Sequence, residues 1–477
     1  MYSFIISIVV LILGFFTYGK IVDRNFNPDS RTTPANRKND GVDYIPMPTW
    51  KVLLIQTLNI AGIGPIFGAL GGALYGPVVY IWIVAGCIFI GAVHDYNCGM
   101  LSMRNGGVSI PELVGKYMGK HFGSITRIFS VLLLVVCGVV FTTGPVELLK
   151  EITPDWISDN IVILIIIAYY FLVTIVPLNK VIGYIYPIFG VCIFVMILGI
   201  SGSMLFSGKF TMPELWNNLE NKHAVGGNVW PFMFVTVSCG VISGFHSTQA
   251  PVMARCCKSE KEGLKIFYGA TILVGIISLV WAAAGVTVYD DSRALFDAGG
   301  GCSEVVYEIC VSTMGKASSI IALIGVIVCP ISSGDTAYRS ARLILADWFK
   351  IDQKDIKNRI FLTIPLLIAG FLICQIDYSF VWTHFSWLNQ IFAVIFLWCI
   401  SNYYKIKGKN YIITLIPAIF MTAMTVSYFI SAPEYLGAKW FYLGVSYNIY
   451  YKIGNVAGIV VAAIAAIIFF VKNARIK

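Results

Sequence analysis

Apolar runs long enough to cross a bilayer recur along almost the whole of this 477-residue chain, and nothing else restricts its fold as tightly. They fall at about 2–19, 50–75, 78–102, 124–149, 159–177, 180–206, 229–254, 264–288, 318–345, 358–376, 379–402, 411–431 and 453–472. A helix needs roughly 20 such residues to span about 30 Å of hydrocarbon. The pattern therefore predicts an all-α polytopic membrane protein of about 13 transmembrane helices. Only 12% of residues are charged, against roughly 25% in soluble domains. The first run has no basic stretch before it and no small-residue cleavage site after it, so it reads as a retained span and not as a signal peptide.

Charge supplies the topology. With the N-terminus outside, 27 of the 34 Lys and Arg residues fall on inner segments, including the groups Lys20–Lys51, Arg255–Lys265, Arg339–Arg359 and Lys472–Lys477. Outer segments carry the acids Glu147, Glu151, Asp155 and Asp159, then Asp290, Asp291, Asp297, Glu304 and Glu308. Basic loops stay cytoplasmic, so the expected location is the cytoplasmic (inner) membrane with the C-terminus inside. The net charge of +9 is thereby topological, and no nucleic-acid partner is expected. Most of the 12 cysteines are single residues within apolar runs, the usual setting of a small core hydrophobe. No spacing suggests a metal site, and no cofactor is expected. Cys302 and Cys310 share an outer loop and could pair.

Two of the runs are interrupted. In Thr57–Pro65, Gly62, Gly64 and Pro65 beside polar Asn59 support a helix poorly and remove a backbone donor. In Ser238–Pro251, Gly240, Ser243, Gly244, Ser247 and Pro251 do the same. Broken helices survive in a membrane only where the freed main chain faces protein, water or a ligand. The breaks fall in the second and seventh runs, five steps apart, an odd number, so the broken helices run in opposite directions. Paired breaks in halves of inverted topology point to a secondary transporter with a midplane site. The expected organisation is an N-terminal span and loop (1–49), a first five-helix repeat (50–206), an outer loop with a second five-helix repeat (207–402), and two final spans (403–477). The same glycines also read as close packing, and for Gly68, Gly71, Gly72 and Gly76 packing is the expectation.

Ionisable groups inside spans are costly and usually functional. Asp95, preceded by His94, and Asp335, preceded by Ser332 and Ser333, lie toward inner helix ends. His246 sits at similar depth. These six residues are candidates for coupling to a proton or a sodium ion. Each also has a structural reading: Asp335 is spaced to pair with Arg339 and Arg342 on its own helix, His94 and Asp95 suit a helix end near headgroups, and His246 suits a polar contact inside the bundle. Trp82, Trp230 and Trp382, with Tyr75 and Tyr80, read as an interfacial belt. There is no HExxH, GxSxG or P-loop, so an enzyme is not expected. His246 with Ser243 or Ser247 is the nearest approach to a hydrolase, and His246 and Ser247, being adjacent, point to different sides of a helix.

The stretch Asn59-Ile60-Ala61-Gly62-Ile63-Gly64-Pro65-Ile66-Phe67-Gly68 resembles the signature of the carbon starvation protein A family. So do Gly91-Ala92-Val93-His94-Asp95-Tyr96, Ser102-Met103-Arg104-Asn105-Gly106-Gly107, Ser243-Gly244-Phe245-His246-Ser247-Thr248-Gln249 and Ser332-Ser333-Gly334-Asp335-Thr336-Ala337-Tyr338-Arg339-Ser340-Ala341-Arg342. The resemblance runs from about residue 2 to the ninth span; the last three spans carry little of it. It implies an inner-membrane transporter that scavenges nutrients under carbon limitation, taking short peptides or, in some members, pyruvate. The implied five-plus-five inverted repeat is similar to that of the amino acid, polyamine and organocation transporters.

The resulting expectation is an importer of short peptides whose site lies between Asn59, Gly62, Gly64 and Pro65 on one segment and Ser238, Gly240, Ser243, Gly244 and Ser247 on the other. A proton-linked pyruvate carrier and a nutrient-sensing membrane receptor are the alternatives.

Overall fold

The computed structural model describes residues 1–150, 153–154, 156–299 and 303–473. Cys302 lies outside these residues, as do Glu151, Asp155, Arg475 and Lys477. Among the described residues the chain is helical, with no sheet; one isolated bridge joins Met47 to Cys257. In chain order the main helices are α1 (Tyr2–Phe26), α2 (Thr49–Ile60), α3 (Gly64–Ala73), α4 (Val79–Arg104), α5 (Ile110–Met118), α6 (Lys120–Lys150), α7 (Asp159–Ile175) and α8 (Leu178–Phe206). They continue with α9 (Phe234–Val241), α10 (Gly244–Ala254), α11 (Glu260–Val288), α12 (Ser303–Phe349), α13 (Ile356–Ile373), α14 (Tyr378–Ile406), α15 (Ile412–Tyr442) and α16 (Tyr447–Asn473).

Eleven helices among the described residues are long and apolar enough to cross a membrane, or 12 with α2 and α3 joined; α7, at 17 residues, is a shorter apolar helix. Burial sorts them into two shells. The apolar windows of α4 and α11 are each 78% buried, whereas those of α8 and α16 are 22% buried. The outer helices turn Ile5, Leu164, Phe194, Phe361 and Ile459 outward, as lipid-facing surfaces do. The broken segments belong to the inner shell.

The first break lies where the sequence placed it. α2 ends at Ile60, and α3 starts at Gly64 with Pro65 in its first turn, where a missing N–H costs least. The two pieces meet at 59°. The second break is confined to Ile242 (φ −145°, ψ 132°) and Ser243 (φ −145°, ψ 141°), both extended. Ser243 then caps α10, its Oγ accepting the Phe245 N–H at 3.1 Å. Pro251, expected to help break this span, sits inside α10, which runs on to Ala254.

Glycine brings the two segments together main chain to main chain. A Cβ on Gly64 would lie 2.6 Å from the Cys239 carbonyl oxygen, one on Gly68 2.6 Å from that of Thr236, and one on Gly240 2.7 Å from Pro65 Cα. Partner numbers fall as α3 advances, so α3 and α9 are antiparallel. Gly72 packs on Val237 and Val79, which supports the packing reading of this stripe. Tyr75, Tyr80 and Trp82 are buried and do not form an exposed belt; Trp82 packs on Phe234 and Phe420 at ring separations of 4.7 and 5.4 Å.

Alanine favours a helix over glycine by about 1 kcal/mol, whereas forcing a methyl into rigid backbone costs roughly 1–3 kcal/mol. Gly68→Ala is therefore expected to lower the thermal unfolding midpoint of the purified protein. Gly202→Ala, with nothing within 4 Å of its added Cβ, is expected to leave the midpoint unchanged or raise it.

Candidate functional site

At the first break the amides of Gly62, Ile63 and Gly64 and the carbonyls of Ile60, Ala61 and Gly62 have no hydrogen-bond partner among the described residues. The preceding carbonyls are met from α12: Ser333 Oγ donates to the Asn59 carbonyl at 2.8 Å and stands 3.4 Å from that of Leu58, as does Ser332 Oγ. At the second break the amides of Ser243, Gly244 and His246 are likewise unmatched. The Phe245 N–H is held by Ser243 and by Asn389 Oδ1 at 2.9 Å. Buried side-chain amides surround both breaks with atoms unpaired: both polar atoms of Gln56, Nδ2 of Asn59 and Asn389, and Oε1 of Gln249 and Gln390. Ser238 and Ser247, expected to face the site, instead bond the carbonyls of Phe234 and Gly244 in their own segments.

The six ion-coupling candidates form two clusters. In one, Asp95 joins three helices: its Oδ1 accepts from His94 Nδ1 at 2.8 Å, and its Oδ2 from His246 Nδ1 at 3.0 Å and Thr271 Oγ1 at 2.6 Å. All four side chains are buried, so this is no headgroup contact. Both imidazoles must carry their proton on Nδ1 to donate here.

In the other cluster, Asp335 does not pair with Arg339 and Arg342. Those arginines turn to Asp43, at 3.4 and 3.2 Å, while Asp335 accepts from Tyr169 at 3.1 Å and Tyr186 at 3.2 Å. The Tyr186 hydroxyl also lies 3.0 Å from Asn59 Oδ1 and 2.9 Å from the Ser332 carbonyl. One hydroxyl proton cannot serve them all. With Asn59 Oδ1 turned toward it, the Tyr186 hydroxyl at the end of α2 faces more acceptors than it has protons to give.

A cavity of about 530 Å³ opens on the side that the charge bias assigns to the exterior, lined by Thr143, Glu147, Asp159, Asp377 and Tyr378 among others. Its floor approaches the first break, because neighbouring Gly144 packs on Ile63. From Tyr378 an aromatic series leads inward through Trp382 (6.3 Å), Phe385 (5.7 Å) and Phe141 (5.8 Å) to Phe245 at the head of α10 (5.0 Å). Phe67 on α3 joins it at Trp382, which is thus a wall of this path.

Tyr169, Tyr186, Thr271 and Asn389 were missed in the sequence. Asn389 and Gln390 carried a signal, two adjacent amides in an otherwise apolar run; single tyrosines and threonines carried none.

Two half-helix breaks packed together inside a bundle of membrane-spanning helices define a polytopic membrane protein with a polar centre. Comparison with known proteins then fixes the family: the profile described as "Carbon starvation protein CstA" matches residues 1–201 and 157–298, and the chain belongs to that family. An uncharacterized membrane protein of Haemophilus influenzae is 42% identical over 352 residues, covering 63% of this chain and 95% of that protein. The peptide transporter CstA of Escherichia coli is 24% identical over 341 residues, 57% of this chain and 48% of that protein. The pyruvate/proton symporter BtsT of the same organism is 25% identical over 321 residues, 53% of this chain and 44% of that protein. The chain thus spans about half the length of these two transporters. By the names its relatives carry this is a family of membrane transporters, which assigns the chain to transport and not to catalysis.

If Asp95 is the hub of its cluster, removals should be graded. Thr271→Val is expected to cost about 1 kcal/mol, and Asp95→Ala roughly 3–5 kcal/mol by leaving two imidazoles without their acceptor. Thermal unfolding in detergent measures both, and equal losses would contradict the hub.

Proposed function

We propose that this chain is a secondary active transporter that imports short peptides across the cytoplasmic membrane under carbon starvation, by alternating access around the paired breaks. One observation carries the reading: two interrupted, antiparallel segments meet at Gly64 and Gly240 and expose unpaired main chain of both polarities. The amides of Gly62 to Gly64 and of Ser243 and Gly244 suit a carboxylate, as half-helix N-termini do. The carbonyls of Ile60 to Gly62 suit an ammonium group. Gln56, Asn59, Asn389 and Gln390 offer both halves of an amide pair to a peptide bond. The relatives named peptide transporters support this choice. The proposed frame is the five-plus-five repeat with flanking spans, N-terminus outside, and the cavity above Ile63 as the outer entrance.

Ion coupling belongs to the same proposal. The surplus of acceptors around Tyr186 is completed by a proton on Asp335 or by a cation held with Ser332 and Ser333, and His94, Asp95 and His246 form a second protonatable group. A pyruvate importer is the second reading, favoured by the relative named a pyruvate/proton symporter; such a solute needs the amides and no ammonium partner.

Counterflow in proteoliposomes separates the two. A labelled dipeptide is expected to exchange, and pyruvate is expected to compete poorly; exchange of pyruvate alone selects the second reading. Asn59→Ala and Gly64→Trp variants that reach the membrane are expected to lose uptake at least tenfold, equivalent to about 1.4 kcal/mol. Normal uptake by both would place the site elsewhere. Asp335→Asn is expected to abolish any dependence on the proton or sodium gradient while leaving counterflow, and unchanged gradient dependence would remove Asp335 from coupling.

A further inference from the structure

Toward the inner end of α12, past Asp335, positive charge is buried in excess. Arg255, Arg339, Arg342 and Arg359 are each 6% exposed or less, and among the described residues the one carboxylate buried with them is Asp43, from the loop before α2. Three of the arginines have protein acceptors. Arg255 Nε donates to the Gly107 carbonyl at 2.8 Å, and its guanidinium lies over Tyr44 and 3.6 Å from exposed Asp347. Arg339 reaches Asp43 and the carbonyls of Val173 and Val176. Arg342 reaches Asp43 and Gln353. Even so, Nε of Arg339 and of Arg342 is buried without a partner.

Arg359 lies near the start of α13; its backbone N–H donates to the Asp355 carbonyl, but its side chain makes no hydrogen bond or ion pair among the described residues, and Nε and Nη1 are buried. α13 packs against α12, which carries Arg339 and Arg342, and the Arg359 charge acts on both Asp43 and Arg342. Its position near a helix N-terminus adds to the positive potential instead of relieving it. Of the other acids at this end, Asp347, Asp352 and Asp355 are exposed, and Asp40, which acts on Arg255, is half-buried.

A guanidinium does not shed its proton in a protein, and an uncompensated buried charge costs several kcal/mol. Arg255 has Asp347 beside it, whereas Arg339, Arg342 and Arg359 have between them the single buried carboxylate of Asp43 and therefore lack counter-charge. Burial alone would raise the pKa of Asp43, yet Arg342 and Arg339, then Arg255 and Arg359, hold it below the ordinary carboxylate value, so it stays ionised. Unpaired guanidinium N–H groups of this kind suit the oxygens of a carboxylate or phosphate.

We propose that Arg359, Arg342 and Arg339 form an oxyanion-binding site at the inner end of the protein, for a carboxylate- or phosphate-type group, part of which Asp43 already fills as a tethered anion. The site stands apart from the paired breaks and does not depend on what is transported. Asp43 competes with the incoming anion, and Arg359 provides the vacant donors. The oxygens come either from a free anion or from an anionic lipid headgroup.

The test uses the full-length protein purified in zwitterionic detergent, titrated at constant ionic strength with inorganic phosphate and, separately, with phosphatidylglycerol micelles. Binding is read by equilibrium dialysis for phosphate and by native mass spectrometry for lipid. Saturable binding is expected for at least one probe, about tenfold weaker in Arg359→Gln and about tenfold tighter in Asp43→Asn. Phosphate binding identifies a free-anion site; lipid binding alone identifies a headgroup site. No binding of either probe to wild type or Asp43→Asn would overturn the proposal, as would undiminished binding by Arg359→Gln. Should Arg359→Gln fail to fold, the opposite change expected in Asp43→Asn still decides.

Discussion

A peptide unit that loses its helical partner inside hydrocarbon finds no replacement in the lipid, and each unmatched group costs several kcal/mol. Six amides at the two breaks, and the carbonyls of Ile60, Ala61 and Gly62 at the first, are in this condition among the described residues. Set against the roughly 5–15 kcal/mol that separates a typical fold from its unfolded chain, they are tolerable only behind a wall of protein. The inner shell supplies it. α4, α11 and α12 are mostly buried because they surround the interrupted segments. Ser332, Ser333 and Asn389 reach across to satisfy groups next to the breaks, and the neighbouring amides stay open.

The same economy of partners governs the charges. Neither intramembrane carboxylate is balanced by a lysine or arginine at contact distance. Asp95 takes three donors from three helices, whereas Asp335 shares crowded hydroxyls with Asn59 and a carbonyl. A carboxylate that is fully matched resists change, and one with surplus acceptors around it invites a proton or a cation. The two acids therefore differ in kind, although the chain places both near inner helix ends.

How far the sequence reveals all this depends on whether the cause is local. Gly62, Gly64 and Pro65 break a helix by their own backbone preferences, so the first interruption was legible. The second was legible only as a region. Extended Ile242 and capping Ser243 fix it, and Gly240 serves contact with Pro65 instead of ending the helix. The similar depth of Asp95 and His246 foreshadowed their meeting. The pairing of Asp335 with Arg339 followed from helical spacing and failed, because Asp43 arrives from 296 positions away and local periodicity cannot register it. Tyr186 lay hidden for the same reason.

At Gly64, Gly68 and Gly240, where α3 crosses α9, main chain rests on main chain. Surfaces without protruding groups have no teeth to disengage, so small sliding or rocking displacements need not pass through rotamer changes. They also have no slack, since a single methyl acts as a wedge. A seam of this kind combines a low barrier to relative motion with little tolerance for substitution, and it sits where the two interrupted segments would have to move past each other.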